Sequence, residues 1–149
     1  MEEGYKRNRK EYVIGIDFDG TIVTHNYPDI GKPVPFAKEV ITMLNENGHK
    51  CFLFTMRDGE RLEEARKYCI EAGIDLVGYN ESPDQFSTSP KQYGTFYIDD
   101  VAIGCPLTYN KEMSRKPYVN WYEVGTYLWI YGLLTEEQLK VISDGRIKK

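Results

Sequence analysis

Short apolar runs alternate with amphipathic segments over the first hundred residues. Four runs are rich in β-branched and aromatic side chains and have the length of buried strands; they cover residues 12–18, 51–54, 74–79 and 95–98. Apolar residues at helical spacing follow Pro35 and end at Gly48. A second helical segment runs from a capping Asp58 to Gly73. This order of strand and helix predicts a parallel α/β sheet.

The remaining segments are a flap, a loop and a tail. Residues 22–34 are irregular and proline-containing, and residues 80–94 are polar. The tail carries two pairs with the spacing of a helix-capping box, Asn120 with Glu123 and Thr135 with Gln138. We therefore predict one domain over residues 1–149, with a core at about 12–104 and C-terminal helices at about 120–144. The expected architecture is a three-layer, Rossmann-like sheet with helices on both faces.

Composition and charge argue against several classes of function. The chain has 149 residues, a net charge of −4 and a pI of about 5.3, so non-specific binding to nucleic acid is not expected. No apolar run approaches the roughly 20 residues that span a bilayer, and the charged leader at 1–10 lacks the apolar centre of a signal peptide. The three cysteines show no metal-ligand spacing. These features predict a cytoplasmic protein without a membrane partner.

Acidic residues follow two of the predicted strands. Asp17 and Asp19 end the first strand, and Asp99 and Asp100 follow the fourth. In open α/β sheets ligands bind at the carboxyl ends of strands, so these carboxylates meet if the two strands are neighbours. Carboxylates that are so close need a cation among them, and oxygen ligands select a hard ion such as Mg²⁺.

These residues also carry a family resemblance. The run from Asp17 to Thr21, then Thr55, Lys91 and Asp99-Asp100, resembles the four motifs of the haloacid dehalogenase (HAD) superfamily, in the right order. The resemblance covers roughly residues 12–104. More narrowly, the chain is similar to small phosphatase-like proteins of bacteria and phages. Those proteins share a His-x-Tyr-Pro flap, here 25–28, and a Ser-x-Lys segment, here 89–91.

The resemblance implies a Mg²⁺-dependent phosphatase. Asp17 would be the nucleophile that forms an aspartyl-phosphate intermediate, and Asp19 the general acid and base. The carbon–halogen branch of the superfamily lacks this second acid, so its presence favours hydrolysis of phosphomonoesters. Mg²⁺ would be bound by the Asp17 carboxylate, the Asp19 main-chain carbonyl and Asp99. Asp100 is either a further ligand or a residue that positions one.

Further residues are candidates for binding the phosphoryl group and the substrate. The resemblance gives Thr55 and main-chain amides near Gly20, Thr21 and Met56 to the phosphoryl oxygens, and Lys91 to charge compensation. Arg57 is a candidate for substrate contact or for a surface salt bridge. His25 and Asn80 are candidates for substrate contact. The basic loop of Lys111, Arg115 and Lys116 is read as a solvated loop, with phosphate recognition as the alternative.

The gaps between the motifs are too short for a cap domain. The site should therefore be open to a phosphorylated small molecule or to the phosphorylated end of a larger partner. The aromatic residues of the tail have two readings, internal packing or a homo-oligomer interface. Alternatives to the phosphatase are a non-catalytic metal- and phosphate-binding module and a phosphotransferase. A receiver-type phospho-acceptor domain does not fit, because its paired acids are adjacent and its motifs are ordered differently.

Overall fold

A computed structural model describes residues 11–147 of the chain, with side chains up to Ser143. The basic leader, which the sequence places at the opposite edge of the sheet from the acidic residues, lies outside the described residues. The elements are β1 Val13–Ile16, α1 Ala37–Glu46, β2 Lys50–Leu53, α2 Gly59–Ala72, β3 Phe96–Ile98, β4 Leu107–Thr108, β5 Tyr118–Val119, α3 Trp121–Ile130 and α4 Glu136–Ile147.

The main sheet has three parallel strands in the order β2-β1-β3. Ile16 of the central strand pairs with Leu53 on one side and with Ile98 on the other. The first and last of the predicted strands are therefore neighbours, which the predicted site requires. Because both strands run the same way and end in register, the residues that follow them leave the sheet at the same edge.

All four helices contribute to one apolar core on one face of this sheet. Side chains alternate between faces along a strand, so Ile14 and Ile16 share a face. Both are fully buried, in one cluster with residues of every helix: Ala37, Val40, Ile41 and Leu44 of α1, Ala65 and Cys69 of α2, Val124 and Leu128 of α3, and Ile142 of α4. The parallel sheet flanked by helices confirms the predicted α/β class.

A loop contacts the opposite face. Val13 and Phe52 are buried on this face, outside that cluster. Tyr97 donates a hydrogen bond from its hydroxyl to the main-chain carbonyl of Gln92, and the Lys91 ammonium lies 5.8 Å from the centre of its ring. Within residues 11–143, this face is contacted by the polar loop at 80–94 and by Phe54, whose ring centre lies 5.7 Å from that of Tyr97. The sequence predicts a helical layer there instead.

The predicted strand at 74–79 is an extended edge segment with one bridge to β2, between Leu53 and Tyr79. Its backbone still follows β2, since Val77 donates to Cys51 at 2.9 Å and Leu53 donates to Gly78 at 2.9 Å. Burial alternates along it, with Ile74 and Leu76 inside. The apolar run thus correctly predicted extended backbone, but with one bridge the segment is not a regular strand as predicted.

Most helix ends lie next to the residues that the sequence predicts as helix caps. Helix α2 begins after Asp58 and ends at Gly73, which adopts the left-handed conformation with φ 75°. The apolar residues of this segment predict an inner face of Leu62, Ala65, Cys69 and Ile70. Ala65 and Cys69 are buried as predicted, whereas Ile70 is 55% exposed and does not belong to that face. Helix α1 begins at Ala37, later than Pro35 predicts, because Phe36 at its cap is left-handed with φ 68°.

The tail forms the two expected helices after a small antiparallel pair of strands, β4 and β5. Asn120 accepts from the main-chain amide of Glu123 at 3.0 Å at the start of α3. Thr135 and Gln138 exchange two hydrogen bonds, as a capping box requires. Over the part of the chain that the structure describes, every helix is too short or too polar to cross a bilayer.

Candidate metal and phosphate site

Three carboxylates meet where β1 and β3 end. Asp17 follows β1 and its amide donates to the carbonyl of Ile98 at 2.9 Å, which continues the strand register by one residue. Asp99 and Asp100 follow β3 directly. Each of the three residues offers an oxygen that lies within 4.8 Å of the other two. The parallel register thus brings together residues that are more than 80 positions apart in the sequence.

Burial and the neighbouring carboxylates raise the proton affinity of Asp17 and of Asp99. Burial, then the charge of Asp99 and the contact with Asp100, raise the pKa of Asp17 to about 8, against an ordinary value of 3.8. Thr21 opposes this change, because its hydroxyl donates to the Asp17 carboxylate at 3.0 Å. Burial also raises the pKa of Asp99. A cation between these oxygens would favour the ionised form of all three.

Asp19 belongs to a second part of the site, a buried salt bridge with Arg57. The Arg57 side chain is 1% exposed and its Nε donates to Asp19 Oδ2 at 2.7 Å. A terminal nitrogen donates to Asp19 Oδ1 at 2.8 Å, so the pair is bidentate. The same guanidinium donates to the main-chain carbonyls of Pro28 and Asp29 in the flap. Arg57 is therefore neither a surface salt bridge nor an open substrate contact; it fixes Asp19 and the flap together.

His25 also joins the flap to the carboxylates. Its Nε2 lies 2.9 Å from Asp100 Oδ2, and the Asp100 side chain is 9% exposed. This pair packs on the main chain of Gly20, where a Cβ would lie 2.2 Å from His25 Nε2 and 2.5 Å from Asp100 Oδ2. Gly20 also has φ 83°, which favours glycine. The glycine of the Asp-x-Asp-Gly-Thr run is thus required by both space and conformation.

The main-chain amides of Gly20 and Thr21 are occupied within the loop. They donate to the carbonyls of Val23 and Phe18 at 2.7 and 3.2 Å, so neither is free for a phosphoryl oxygen, contrary to expectation. By contrast, the amides of Phe18 and Asp19 donate to no other described residue, and the Asp19 carbonyl accepts from none. The available main-chain groups lie one or two residues earlier than the sequence suggested.

A turn after β2 contains Thr55 and Met56, and the side chain of Asn80 is hydrogen-bonded to it. Asn80 has φ 55°, accepts from the Thr55 amide at 2.8 Å and donates to the Arg57 carbonyl at 3.0 Å. The Thr55 hydroxyl accepts from the Arg57 amide at 3.1 Å. Met56 is 97% exposed at the tip. Asn80, expected near substrate, therefore fixes the turn that carries Thr55.

Lys91 contacts an aromatic ring of β3. It is exposed in the loop at 80–94 and lies over the ring of Tyr97, two residues before Asp99 on the same strand face. Among the described residues it forms no salt bridge with a carboxylate. A phosphate-binding role for Lys91 requires its long side chain to turn toward the end of β3.

Two residues of the C-terminal segment, Trp121 and Val119, contact the acidic loop, which is the run from Asp17 to Thr21. The sequence did not predict either residue as part of the site. The Trp121 indole N–H donates to the Thr21 carbonyl at 2.7 Å, and the amide of Val119 donates to the Gly20 carbonyl at 2.9 Å. The only sequence signal was the aromatic content of the tail, which indicated packing without a partner. Both contacts span about a hundred positions, beyond the reach of a local pattern.

Fold and site together define an α/β protein with a carboxylate cluster at the carboxyl edge of a parallel sheet. The chain resembles a solved structure, that of a conserved protein from Bacteroides thetaiotaomicron, with 37% identity and a TM-score of 0.59; the match covers 62% of this chain and 78% of that one. At this identity and coverage, the chain belongs to the same family as that protein. No protein-family model matches the chain, and no curated protein does.

Proposed function

We propose that this protein is a Mg²⁺-dependent phosphatase of the HAD type, without a cap domain, that hydrolyses phosphomonoesters through an aspartyl-phosphate on Asp17. The observation that carries the proposal is the meeting of Asp17, Asp99 and Asp100 within 4.8 Å at the ends of neighbouring parallel strands. An acidic turn at a single strand end would not explain acids on two strands.

The donor set fits Mg²⁺. All three groups are carboxylates, the oxygen ligands that Mg²⁺ prefers, and each offers an oxygen within 4.8 Å of the other two. Burial, followed by the nearby carboxylates of Asp99 and Asp100, raises the pKa of Asp17, and a divalent cation would offset this effect. Asp17, Asp99 and the Asp19 carbonyl would bind the ion, and Asp100, which contacts His25, would be a further ligand or would position one. The ion would polarise the phosphoryl oxygens and keep Asp17 ionised.

Asp17 and Asp19 then have different roles in the reaction. An Asp17 carboxylate oxygen attacks phosphorus, the bond from phosphorus to the ester oxygen breaks, and Asp19 gives a proton to the leaving oxygen. Water then attacks the phosphorus of the aspartyl-phosphate and loses a proton to Asp19. The bond between Asp17 and phosphorus breaks and inorganic phosphate leaves. The amides of Phe18 and Asp19, which donate to no other residue of the described range, are suited to the developing negative charge on the phosphoryl oxygens.

The Asp19–Arg57 pair favours the alternative, a module that binds Mg²⁺ and phosphate without turnover. A general acid needs a proton, and both Asp19 oxygens accept from Arg57 in this structure. For catalysis, one of these hydrogen bonds must give way to the leaving oxygen. Calorimetry that finds binding of Mg²⁺ and phosphate, together with no turnover of any phosphorylated metabolite, would establish the alternative.

The proposal is tested with an Asp17→Asn variant and an aryl phosphate. Turnover should fall by about a thousandfold or more, because an amide is a poor nucleophile and a poor metal ligand. Acid-quenched wild-type protein should carry the phosphoryl group of a radiolabelled substrate on Asp17. Asp58→Asn is the matched control, since Asp58 is exposed and its side chain makes no capping bond. Retained turnover in Asp17→Asn would falsify the mechanism.

A further inference from the structure

A cleft of about 370 Å³ separates the flap from the basic loop. Its lining residues come from both segments: Thr24, His25, Asn26, Ile30, Gly31 and Lys32 from the flap, and Met113, Ser114 and Arg115 from the loop. The volume is within the range of sites for small molecules, about 300–1,000 Å³. The cleft therefore has room for a chemical group of a substrate beyond the phosphoryl group.

The charged residues that line this cleft are basic, although the protein as a whole is acidic. Lys32 and Arg115 line it, and no acidic residue among the described ones does. The chain as a whole carries a net charge of −4. Neither Lys32 nor Arg115 forms a salt bridge with another described residue. Two cations without counter-charges in a concave surface attract an anion.

The cleft adjoins the carboxylate cluster through His25. This residue lines the cleft, and its Nε2 lies 2.9 Å from Asp100 Oδ2. The ring therefore forms a shared wall, with Asp100 on one side and the cleft on the other. The cleft and the carboxylate cluster are therefore neighbours that share the His25 side chain.

The backbone on both sides of the cleft is fixed. Thr24 and Lys32 exchange two hydrogen bonds, one from the Thr24 amide at 2.8 Å and one to the Thr24 hydroxyl at 2.9 Å. On the other side, the amides of Met113 and Ser114 both donate to the Asn110 carbonyl at 3.0 Å. A site with a fixed backbone loses less entropy when a ligand binds.

We infer that the cleft binds a second anionic group of the substrate, a phosphate or a carboxylate, through Lys32 and Arg115. This inference rests on the proposed phosphatase function and names the substrate class: a phosphomonoester whose leaving group is itself anionic. A neutral leaving group leaves both cations unpaired in the cleft. Arg115 suits either anion, because its planar guanidinium donates in a bidentate manner to carboxylate and phosphate alike.

Three aryl substrates test whether the leaving group must be anionic and which anion is preferred. Phenyl phosphate has a neutral leaving group, 4-carboxyphenyl phosphate carries a carboxylate, and 1,4-phenylene bisphosphate carries a second phosphate. We expect kcat/KM for the preferred anionic substrate to exceed that for phenyl phosphate by about tenfold. The more strongly preferred compound identifies carboxylate or phosphate as the second group. In the Lys32→Gln/Arg115→Gln double variant this ratio should fall close to one. Lys111→Gln is the matched control, since Lys111 is an exposed cation of the same loop that does not line the cleft.

Two kinetic outcomes overturn the inference: a ratio near one in the wild-type protein, or a ratio that persists in the double variant. Absence of turnover of all three compounds refutes the proposed phosphatase instead. In that case calorimetric titration with 1,4-phenylene bisphosphate tests the cleft directly. Binding that the double variant loses and Lys111→Gln keeps supports the cleft as an anion site. Equal binding by all variants, or no binding by the wild type, overturns it.

Discussion

Arg57 and Asp19 illustrate how one residue pair connects two segments of the site. The guanidinium contacts both oxygens of Asp19 and two carbonyls of the flap, and its central carbon lies 5.1 Å from the ring centres of Phe18 and Tyr27. Each of these contacts depends on the planar shape of the arginine head group. The pair thereby fixes the carboxylate that the proposed mechanism uses for proton transfer.

Replacing Arg57 by Lys should therefore affect stability and catalysis together. Loss of the bidentate contact should lower the free energy of unfolding by about 2 kcal/mol and kcat by about tenfold, with KM little changed. Urea denaturation and steady-state kinetics measure these quantities. Arg61→Lys, at an exposed pair with Glu64, is the control and should leave both unchanged. A rise in KM at unchanged stability would instead assign Arg57 to substrate binding.

Gly20 offers a second prediction at the scale of single residues. In Gly20→Ala the new methyl group meets His25 and Asp100, so we expect a loss of activity of about tenfold or more. Gly48→Ala is a matched control, because Gly48 has a similar φ of 87° with nothing within 4 Å of its Cβ position. It should cost about 1–2 kcal/mol of stability without changing kcat. Equal effects of the two substitutions on kcat would contradict the proposed packing.

Between elements, the C-terminal segment stabilises the acidic loop. Strand β5 and the start of helix α3 place Val119 and Trp121 against the carbonyls of Gly20 and Thr21. Trp121 is 1% exposed, so its indole N–H and the Thr21 carbonyl satisfy each other away from water. The hydroxyl of Thr21 in turn contacts Asp17. Helix α3 is thus connected to the proposed nucleophile through one intervening residue.

The Trp121→Phe variant tests this connection. Phenylalanine keeps most of the packing but leaves the Thr21 carbonyl without its donor, so stability should fall by about 2 kcal/mol. Because Thr21 contacts Asp17, kcat should fall as well. Thermal unfolding and aryl phosphate turnover provide the two readouts. Trp129→Phe, at a residue that is 42% exposed, should change stability by no more than about 0.5 kcal/mol. A change in stability with unchanged kcat would limit Trp121 to packing.

For the molecule as a whole, the carboxylate cluster predicts how stability depends on pH and on metal. The pKa of Asp17 is about 8 in the folded protein, above its ordinary value of 3.8, so the folded state binds more protons between these values. Without metal, stability should therefore fall as pH rises from about 4 to about 8, by at most about 1.4 kcal/mol per pH unit. Mg²⁺ should reverse the loss at pH 8.

Urea titrations at pH 5 and pH 8, with EDTA and with Mg²⁺, measure this dependence. The Asp17→Asn variant serves as reference, because the difference between the two proteins cancels the contributions of other titrating groups. It should be more stable than the wild type at pH 8 in EDTA and respond less to Mg²⁺. The same pH dependence in both proteins would show that Asp17 does not cause it.

Local patterns in the sequence predicted the three strands of the main sheet, a fourth at 74–79 that forms only one bridge, and the position of the acidic edge. Apolar runs with periods of two and 3.6 are local signals, and the run from Asp17 to Thr21 marks one strand end. The capping boxes at Asn120 and Thr135 were equally local. From these signals the α/β class could be predicted, whereas the meeting of Asp17 with Asp99 and Asp100 was expected only if the first and fourth strands are neighbours, as the sheet order shows.

The contact partners of these residues, by contrast, depend on the tertiary structure. The buried position of Arg57, the contact of His25 with Asp100 and the bond from Trp121 to Thr21 join segments that are distant in the sequence. The cleft between flap and loop likewise has walls from two such segments. Spacing along the chain specifies the face of an element on which a residue lies. It does not specify which distant loop packs there, because that depends on how all the elements fill the core together.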